Sequence, residues 1–249
     1  MDKHKIYDGQ IHHSFNCLVA GPSGCGKSTF VRNLLDHQGS IIDIEFDYVI
    51  VIIGTGANEN EILSNLVREN SSKYKMVELK KLYPSHEAMT KQFPTDFKYM
   101  VTKKKERGLK GCVIFDDLMT ELSDCGILVD LFTKFTSHYD ISTIHITQNL
   151  FSKSGGKHGS DNVTIYRNCH VLVLFKTPID KTVISTIARR LSPTQSADLR
   201  VMLTHITENH RYVVIFGDFS RPDILRFVTD LFEKNPVPHQ KVFELEAKK

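Results

Sequence analysis

Short, almost uninterrupted apolar runs alternate along this chain with longer segments in which apolar residues recur every three or four positions. The runs are Ser14 to Ala20, Tyr48 to Ile53, Gly111 to Phe115, Ser142 to Thr147, Val171 to Phe175 and Tyr212 to Phe216. Such runs predict strands, and strands that are apolar on both faces, as in Val49-Ile-Val-Ile-Ile53, belong in a parallel sheet covered by helices on both sides. Helical spacing fills Ser28 to His37, Glu59 to Glu69, Ser123 to His138, Lys181 to Arg190 and Thr194 to Thr207. The succession predicts an α/β fold with a mostly parallel sheet and helices on both faces.

Loop chemistry is confined to Gly54 to Asn58, Ser152 to Asp161 and a tail from Asn235 that carries Pro236 and Pro238. None of these resembles an interdomain linker, so one domain is expected over residues 1–249, with a core of about 14–230 and a tail of 235–249. Hydrophobic residues at 41% and charged residues at 24% exclude extended disorder and a fibrous chain. A net charge of +3 is too small for a nucleic-acid coat, though it leaves room for a local basic groove. Five cysteines, an odd number without a C-x-x-C pair, fit reduced thiols in a cytosolic compartment. No apolar stretch approaches the ~20 residues of a membrane span, and no leader-like segment follows Met1, so neither insertion nor export is expected.

Chemistry enters directly after the first strand. Gly21, Pro22, Ser23, Gly24, Cys25, Gly26, Lys27, Ser28 and Thr29 match G-x-x-x-x-G-K-[ST] between a strand and a helix. Glycines there let the backbone curl so that successive N–H groups point at phosphate oxygens, at the positive end of the following helix. Lys27 is expected to reach the β- and γ-phosphates of ATP, and the Ser28 hydroxyl to ligate Mg²⁺.

Two further strands end in residues that suit this site. Gly111-Cys-Val-Ile-Phe115 closes on the pair Asp116 and Asp117. Asp116 is expected to hold the metal and Asp117 to polarise the attacking water, with Glu121 as a weaker competitor for the second role. The run Ile141 to Thr147 ends in Gln148 and Asn149. At the carboxyl edge of an open sheet, Gln148 could contact the γ-phosphate or orient the lytic water.

Taken together, Gly21 to Thr29, Phe115-Asp-Asp-Leu-Met119 and Thr147-Gln-Asn-Leu-Phe151 resemble the FtsK–HerA superfamily of DNA-pumping ATPases. The likeness is closest to its viral packaging branch, found in poxviruses, other large DNA viruses, virophages and Polinton-type elements, and covers roughly residues 14 to 190. It implies a RecA-like, ASCE-type P-loop NTPase fold with the Gln-bearing strand between those of the two phosphate motifs. It further implies ATP hydrolysis with Mg²⁺, translocation of double-stranded DNA into a capsid, and a homo-oligomeric ring of six or five subunits. Capsid proteins would then be partners, and the host cytoplasm, a viral factory or the virion the place of action. Arg167, in Tyr166-Arg-Asn-Cys-His170, stands where the family carries a cation supplied in trans to a neighbour's γ-phosphate. Arg189, Arg190, Arg211 and Arg221 compete for that role. One departure is Asp117, where cellular members place Glu.

Other features read as structural. The basic run Lys103-Lys-Lys-Glu-Arg107 with Lys110 reads as a solvated helix end, while Lys153 and Lys157 in the glycine-rich loop remain candidates for DNA or neighbour contact. The pair His12-His13 lacks a third ligand and reads as surface or neighbour contact. Cys25 reads as a passive small side chain, and Phe132 and Phe135 as a core stripe. The rival function is a P-loop kinase acting on a nucleoside or polynucleotide hydroxyl, but the Ser152 to Asp161 loop has no lid arginine. A GTPase-like switch ranks lower because no Asn-Lys-x-Asp sequence is present.

Overall fold

The apolar runs become strands of one sheet in the computed structural model, which describes residues 10–54, 60–118, 121–122, 125–151, 161–177, 181–210, 212–217, 226–233 and 237–238. In chain order the elements begin β1 (Asn16–Ala20), α1 (Lys27–Asp36), β2 (Tyr48–Ile53), α2 (Glu61–Glu69), β3 (Tyr74–Glu78), α3 (Leu79–Leu82), α4 (His86–Glu106) and β4 (Gly111–Asp116). There follow α5 (Ile127–Asp130), a π-helical turn (Leu131–Phe135), α6 (Thr136–Tyr139), β5 (Ile141–Thr147), α7 (Asp161–Arg167) and β6 (Val171–Phe175). The described chain ends with α8 (Thr182–Leu191), α9 (Ser196–His210), β7 (Tyr212–Phe216), β8 (Phe227–Thr229) and β9 (Val237–Pro238).

The sheet order is β3-β2-β4-β5-β1-β6-β7-β8-β9. Pairing is parallel from β3 through β6 and antiparallel from β6 to β9. Tyr212–Phe216 therefore looks like its parallel neighbours in sequence yet runs against β6, because α8 and α9 bring the chain back to the edge where β6 ended, with Tyr212 beside Phe175. β5 lies between β1 and β4, so the Gln-ended strand separates the two phosphate motifs.

Side chains alternate across the sheet. Cys17, Val19, Val49, Val51, Cys112 and Ile114 face α1 and α2, where Phe30, Val31, Leu34, Leu63 and Leu66 meet them. Leu18, Ala20, Ile50, Ile52, Val113 and Phe115 face the other layer, built from α4, the α5–α6 segment, α8 and α9. Each fully buried aliphatic or aromatic side chain stabilises by roughly 1.5–3 kcal/mol relative to exposure, which is why both strand faces are apolar.

The segment between β2 and β4 carries elements that the apolar runs do not predict. β3 is an edge strand in which Tyr74 alone is fully buried and Lys75 is exposed, so its sequence Tyr-Lys-Met-Val-Glu shows no long apolar run. α4 buries Met89, Phe93, Phe97 and Val101, one residue every fourth position, and Ser85 caps it by accepting from Ala88 N at 3.1 Å. Pro94 sits inside this helix and masks its pattern. The stripe packs ring on ring, with Phe93–Phe97 at 5.8 Å and Phe97–Phe115 at 6.1 Å.

The helix expected over Ser123 to His138 starts at Ile127 and is interrupted by the π turn; Ser123 and Asp124 lie outside the described residues. The wider turn presents Phe132 O to the Asn16 side-chain amide at 2.9 Å. Thr136 Oγ1 sits within reach of Asn16 Oδ1 (2.5 Å), Leu131 O (2.8 Å) and Thr143 Oγ1 (3.1 Å), so a buried polar knot fixes this layer to β1 and β5. Phe132 is buried as expected, and Phe135 packs at the margin of the same core.

His13 corrects the reading of His12-His13 as surface. Its side chain is only 3% exposed, and its ring nitrogens engage Ser142 Oγ (2.9 Å), Asp140 O and Asp140 Oδ1 (both 3.1 Å). His12 remains partly exposed and pairs with Asp43 at 3.1 Å. Together they pin the entry to β1 against β5 and the Ile42 segment.

Candidate active site

The phosphate loop leaves the carboxyl end of β1 between two neighbours. Gly21 N donates to Thr147 O of β5 at 3.2 Å, extending the ladder by one bond. On the other side a Cβ placed on Gly21 would come within 2.6 Å of Phe175 Cβ and 2.9 Å of Cys25 Sγ, so only glycine fits. Gly26 has φ of 105°, a left-handed conformation, and stands at the N-cap of α1. Having no side chain, it leaves the first-turn N–H groups of α1 available to an anion.

Lys27 is buried, and its Nζ donates to Gly21 O at 2.7 Å and Pro22 O at 2.8 Å. A buried ammonium with neutral carbonyl partners is costly, and a phosphate placed in the loop would match its charge. Ser28 is half-buried one residue on, Ser23, Gly24 and Thr29 are exposed, and Pro22 and Cys25 are half-buried. Burial pushes the Cys25 thiol above its ordinary range, with the Lys27 charge opposing, which suits a passive side chain better than a reactive thiolate.

Asp116 ends β4 beside this loop. Burial raises its carboxyl above the usual carboxylate value, and Asp117 adds to the rise, while the Asn60 hydrogen bond and the Lys27 charge pull it down. The Lys27 ammonium and the Asp116 carboxylate thus share one electrostatic neighbourhood. Asn60 links them structurally: its Nδ2 donates to Ser28 Oγ at 2.8 Å and to Asp116 Oδ2 at 2.6 Å. The residues fit a magnesium ion, because one hydroxyl and one carboxylate already converge at the phosphate loop, and Mg²⁺ usually takes one or two carboxylates plus substrate phosphates.

Asp117 turns the chain sharply, with φ of 52°, a left-handed conformation that Asp tolerates better than most residues. Its N–H donates to Ile146 O at 3.0 Å. The turn brings its exposed carboxylate to the end of β5, where Gln148 Nε2 donates to Asp117 Oδ2. Glu121 lies elsewhere: its carboxylate sits over Gly54, so that a Cβ on that glycine would fall 2.9 Å from Glu121 Oε1. That position is the end of β2, on the side of β4 away from the phosphate loop.

Lys27, Ser28, Asp116, Asp117 and Gln148 are therefore gathered at one edge of the sheet, and Arg167 is not among them. Arg167 ends α7 and lines a cavity with Asn16, Asn168, His170 and Gly217 at the amino ends of β1 and β6. The length of β1, roughly 13 Å, separates that cavity from the loop. Arg190 is stacked on the Phe151 and Tyr166 rings at 4.7 and 5.4 Å, and Arg189 donates back to Ser185 O. Arg211, Arg221, Lys153 and Lys157 lie outside the described residues. The basic run at the end of α4 is engaged locally: Lys103 pairs with Glu106, Lys104 covers the Tyr48 ring at 4.1 Å, and Lys105 donates to His138 O. No helix among the described residues is long and apolar enough to cross a membrane.

Asn60 is the site residue that motif reading misses. It belongs to no phosphate motif, and the helix expected from Glu59 begins at Glu61, with Asn60 as its cap.

The strand order and the loop between β1 and α1 define a P-loop NTPase of the RecA-like, ASCE type, with the added strand β5 between the two phosphate motifs. No protein-family model matches the chain, and no curated protein matches it. Among solved structures it is similar to EccC (ATPases 2 and 3) of Thermomonospora curvata in complex with a signal sequence peptide, at 14% identity and a TM-score of 0.42, covering 66% of this chain and 30% of that one. It is also similar to the ATPase EscN of the enteropathogenic E. coli type III secretion system in complex with its central stalk EscO, at 11% identity and a TM-score of 0.45, covering 87% and 59%. The chain thus spans less than two thirds of either structure, and its fold class stands on its own strand order and phosphate loop.

Proposed function

We propose that this protein binds ATP with Mg²⁺ at the Gly21–Thr29 loop and hydrolyses it. The observation that supports this most is the pairing of Gln148 with Asp117 beside a loop that already unites Lys27, Ser28 and Asp116. Lys27 would hold the β- and γ-phosphates, while Ser28 and Asp116 would hold the metal, which supplies charge neutralisation at the phosphates when bound. Asp117 would accept a proton from the attacking water, with the Gln148 amide fixing the carboxylate and the water's approach. The absence of arginine from the sequence Ser152 to Asp161, where a kinase would need a cationic lid, speaks against phosphoryl transfer to a sugar hydroxyl.

We further propose the finer reading, a homo-oligomeric ring motor that moves double-stranded DNA into a viral capsid, acting in the host cytoplasm or a viral factory. Its support is the order and spacing of the three motifs, together with the position of Arg167. A guanidinium at the opposite edge from its own phosphate loop is of use to nucleotide only if a neighbouring subunit brings its loop there. One domain over the whole chain is part of this reading.

The test is phosphate release by wild type and Lys27→Ala, with and without linear duplex DNA and with nucleoside acceptors, on size-separated oligomers. Hydrolysis abolished in Lys27→Ala supports the site, and stimulation by duplex DNA supports the motor. Equal hydrolysis by both proteins removes the site assignment, and phosphoryl transfer to an acceptor replaces the ATPase with a kinase.

A further inference from the structure

We infer that Asn60 is a positioning residue for magnesium: its side-chain amide, aimed by the cap of α2, holds the Ser28 hydroxyl and the Asp116 carboxylate in the spacing that the metal needs. This deepens the nucleotide reading above and rests on it.

The orientation of the amide follows from the backbone. Asn60 Oδ1 accepts from Leu63 N at 3.2 Å, the standard N-cap bond of α2. With its oxygen so used, the side chain can present only Nδ2 to the site, and both protons of that nitrogen have partners: Ser28 Oγ at 2.8 Å and Asp116 Oδ2 at 2.6 Å. Ser28 stands in the first turn of α1 and Asp116 ends β4, and Asn60 is a single group that bonds both. A hydroxyl accepting from Asn60 keeps a lone pair for a cation and turns its own proton elsewhere. A carboxylate with one oxygen held keeps the other for ligation. Outer partners of this kind fix ligand geometry before the metal arrives, and their loss usually costs 10–100-fold in metal affinity.

The same geometry joins the metal site to α2, whose Leu63 and Leu66 are fully buried against the α1 side of the sheet. Any metal-driven shift of Ser28 or Asp116 is transmitted through one side chain to the first turn of that helix.

Capping and donation separate by substitution, because serine caps a helix about as well as asparagine but cannot donate to both ligands. The experiment titrates Mg²⁺ into full-length wild type, Asn60→Ser and Asn60→Ala with a fluorescent ADP, with a parallel EDTA series and thermal unfolding of each protein. Expected are an Mg²⁺ half-point raised about tenfold in Asn60→Ser, an unchanged affinity for ADP in EDTA, and a melting temperature close to wild type. Asn60→Ala loses the cap as well and should melt lower. An unchanged Mg²⁺ half-point in Asn60→Ser, or an equal loss of ADP affinity with and without the metal, overturns the inference. Wild type that binds no ADP in either series overturns the nucleotide reading itself.

Discussion

The side-chain amide of Gln148 donates to the carboxylate of Asp117, tying the end of β5 to the turn after β4. The pair exists because Asp117 adopts a left-handed turn, with its N–H fixed by Ile146 O, and so aims its side chain along the sheet edge. Removing either member should spare binding and damage turnover. Asp117→Asn and Gln148→Ala are each expected to lower phosphate release by about a hundredfold or more, with fluorescent-nucleotide affinity within about twofold of wild type. Retained turnover in Asp117→Asn would shift the base role to another carboxylate.

Arg167 separates a residue serving its own subunit from one serving a neighbour. Arg167→Ala is expected to bind nucleotide normally and to lose about 10³-fold in hydrolysis by the oligomer. Mixing it with Lys27→Ala should recover part of the activity, because a mixed ring contains interfaces with an intact loop on one side and an intact arginine on the other. Absence of recovery across all mixing ratios, in oligomers shown to exchange subunits, would confine Arg167 to the cavity it lines.

Gly111 and Tyr48 test the packing under the amino edge. A Cβ on Gly111 would fall 2.1 Å from Tyr48 Cζ, with ring atoms on either side, so the ring would have to move. Gly111→Ala should cost about 1–3 kcal/mol, seen as a melting temperature several degrees lower. Tyr48→Phe should be close to neutral, since the buried Tyr48 hydroxyl has no hydrogen-bond partner among the described residues. A large loss in Tyr48→Phe would mean that the hydroxyl is held after all.

Two histidines predict how stability changes with pH. Burial lowers His145 from 6.5 to about 4, and burial also lowers His13 against the opposing pull of Asp140. The unfolded chain therefore takes up protons that the native state refuses. The contribution is fully present above pH 6.5 and declines as pH falls from there toward about 4 for His145, approaching about 1.4 kcal/mol per pH unit for that residue, while His13 adds to the decline in the same direction. Urea midpoints measured between pH 7 and 5 should fall, and the slope should be shallower in His145→Gln. Parallel slopes for the two proteins would rule His145 out as the source.

Much of this was legible because the sheet is covered on both faces. Val49 to Ile53 or Val171 to Phe175 can hardly be anything but buried strands, and G-x-x-x-x-G-K-[ST] after such a strand specifies its own geometry. The pairing of Asp117 with Gln148 was legible only as two strand ends with chemistry to share. What stayed hidden was amphipathic or local. β3 is wet on one side, α4 has Pro94 in its pattern, and the π turn answers to Asn16, more than a hundred residues upstream. Asn60 was hidden differently: an asparagine before Glu61 signals a helix cap, and no sequence rule tells that its other end reaches Ser28 and Asp116.

Thr147 O and Ile146 O, adjacent carbonyls of β5, hold Gly21 and Asp117 respectively. The phosphate loop and the acid turn are thereby slung from one short piece of backbone, as two pans hang from a single beam. Neither can tilt alone: a slide of β5 by a fraction of an ångström would carry the glycine loop and the Asp117 turn with it in the same stroke.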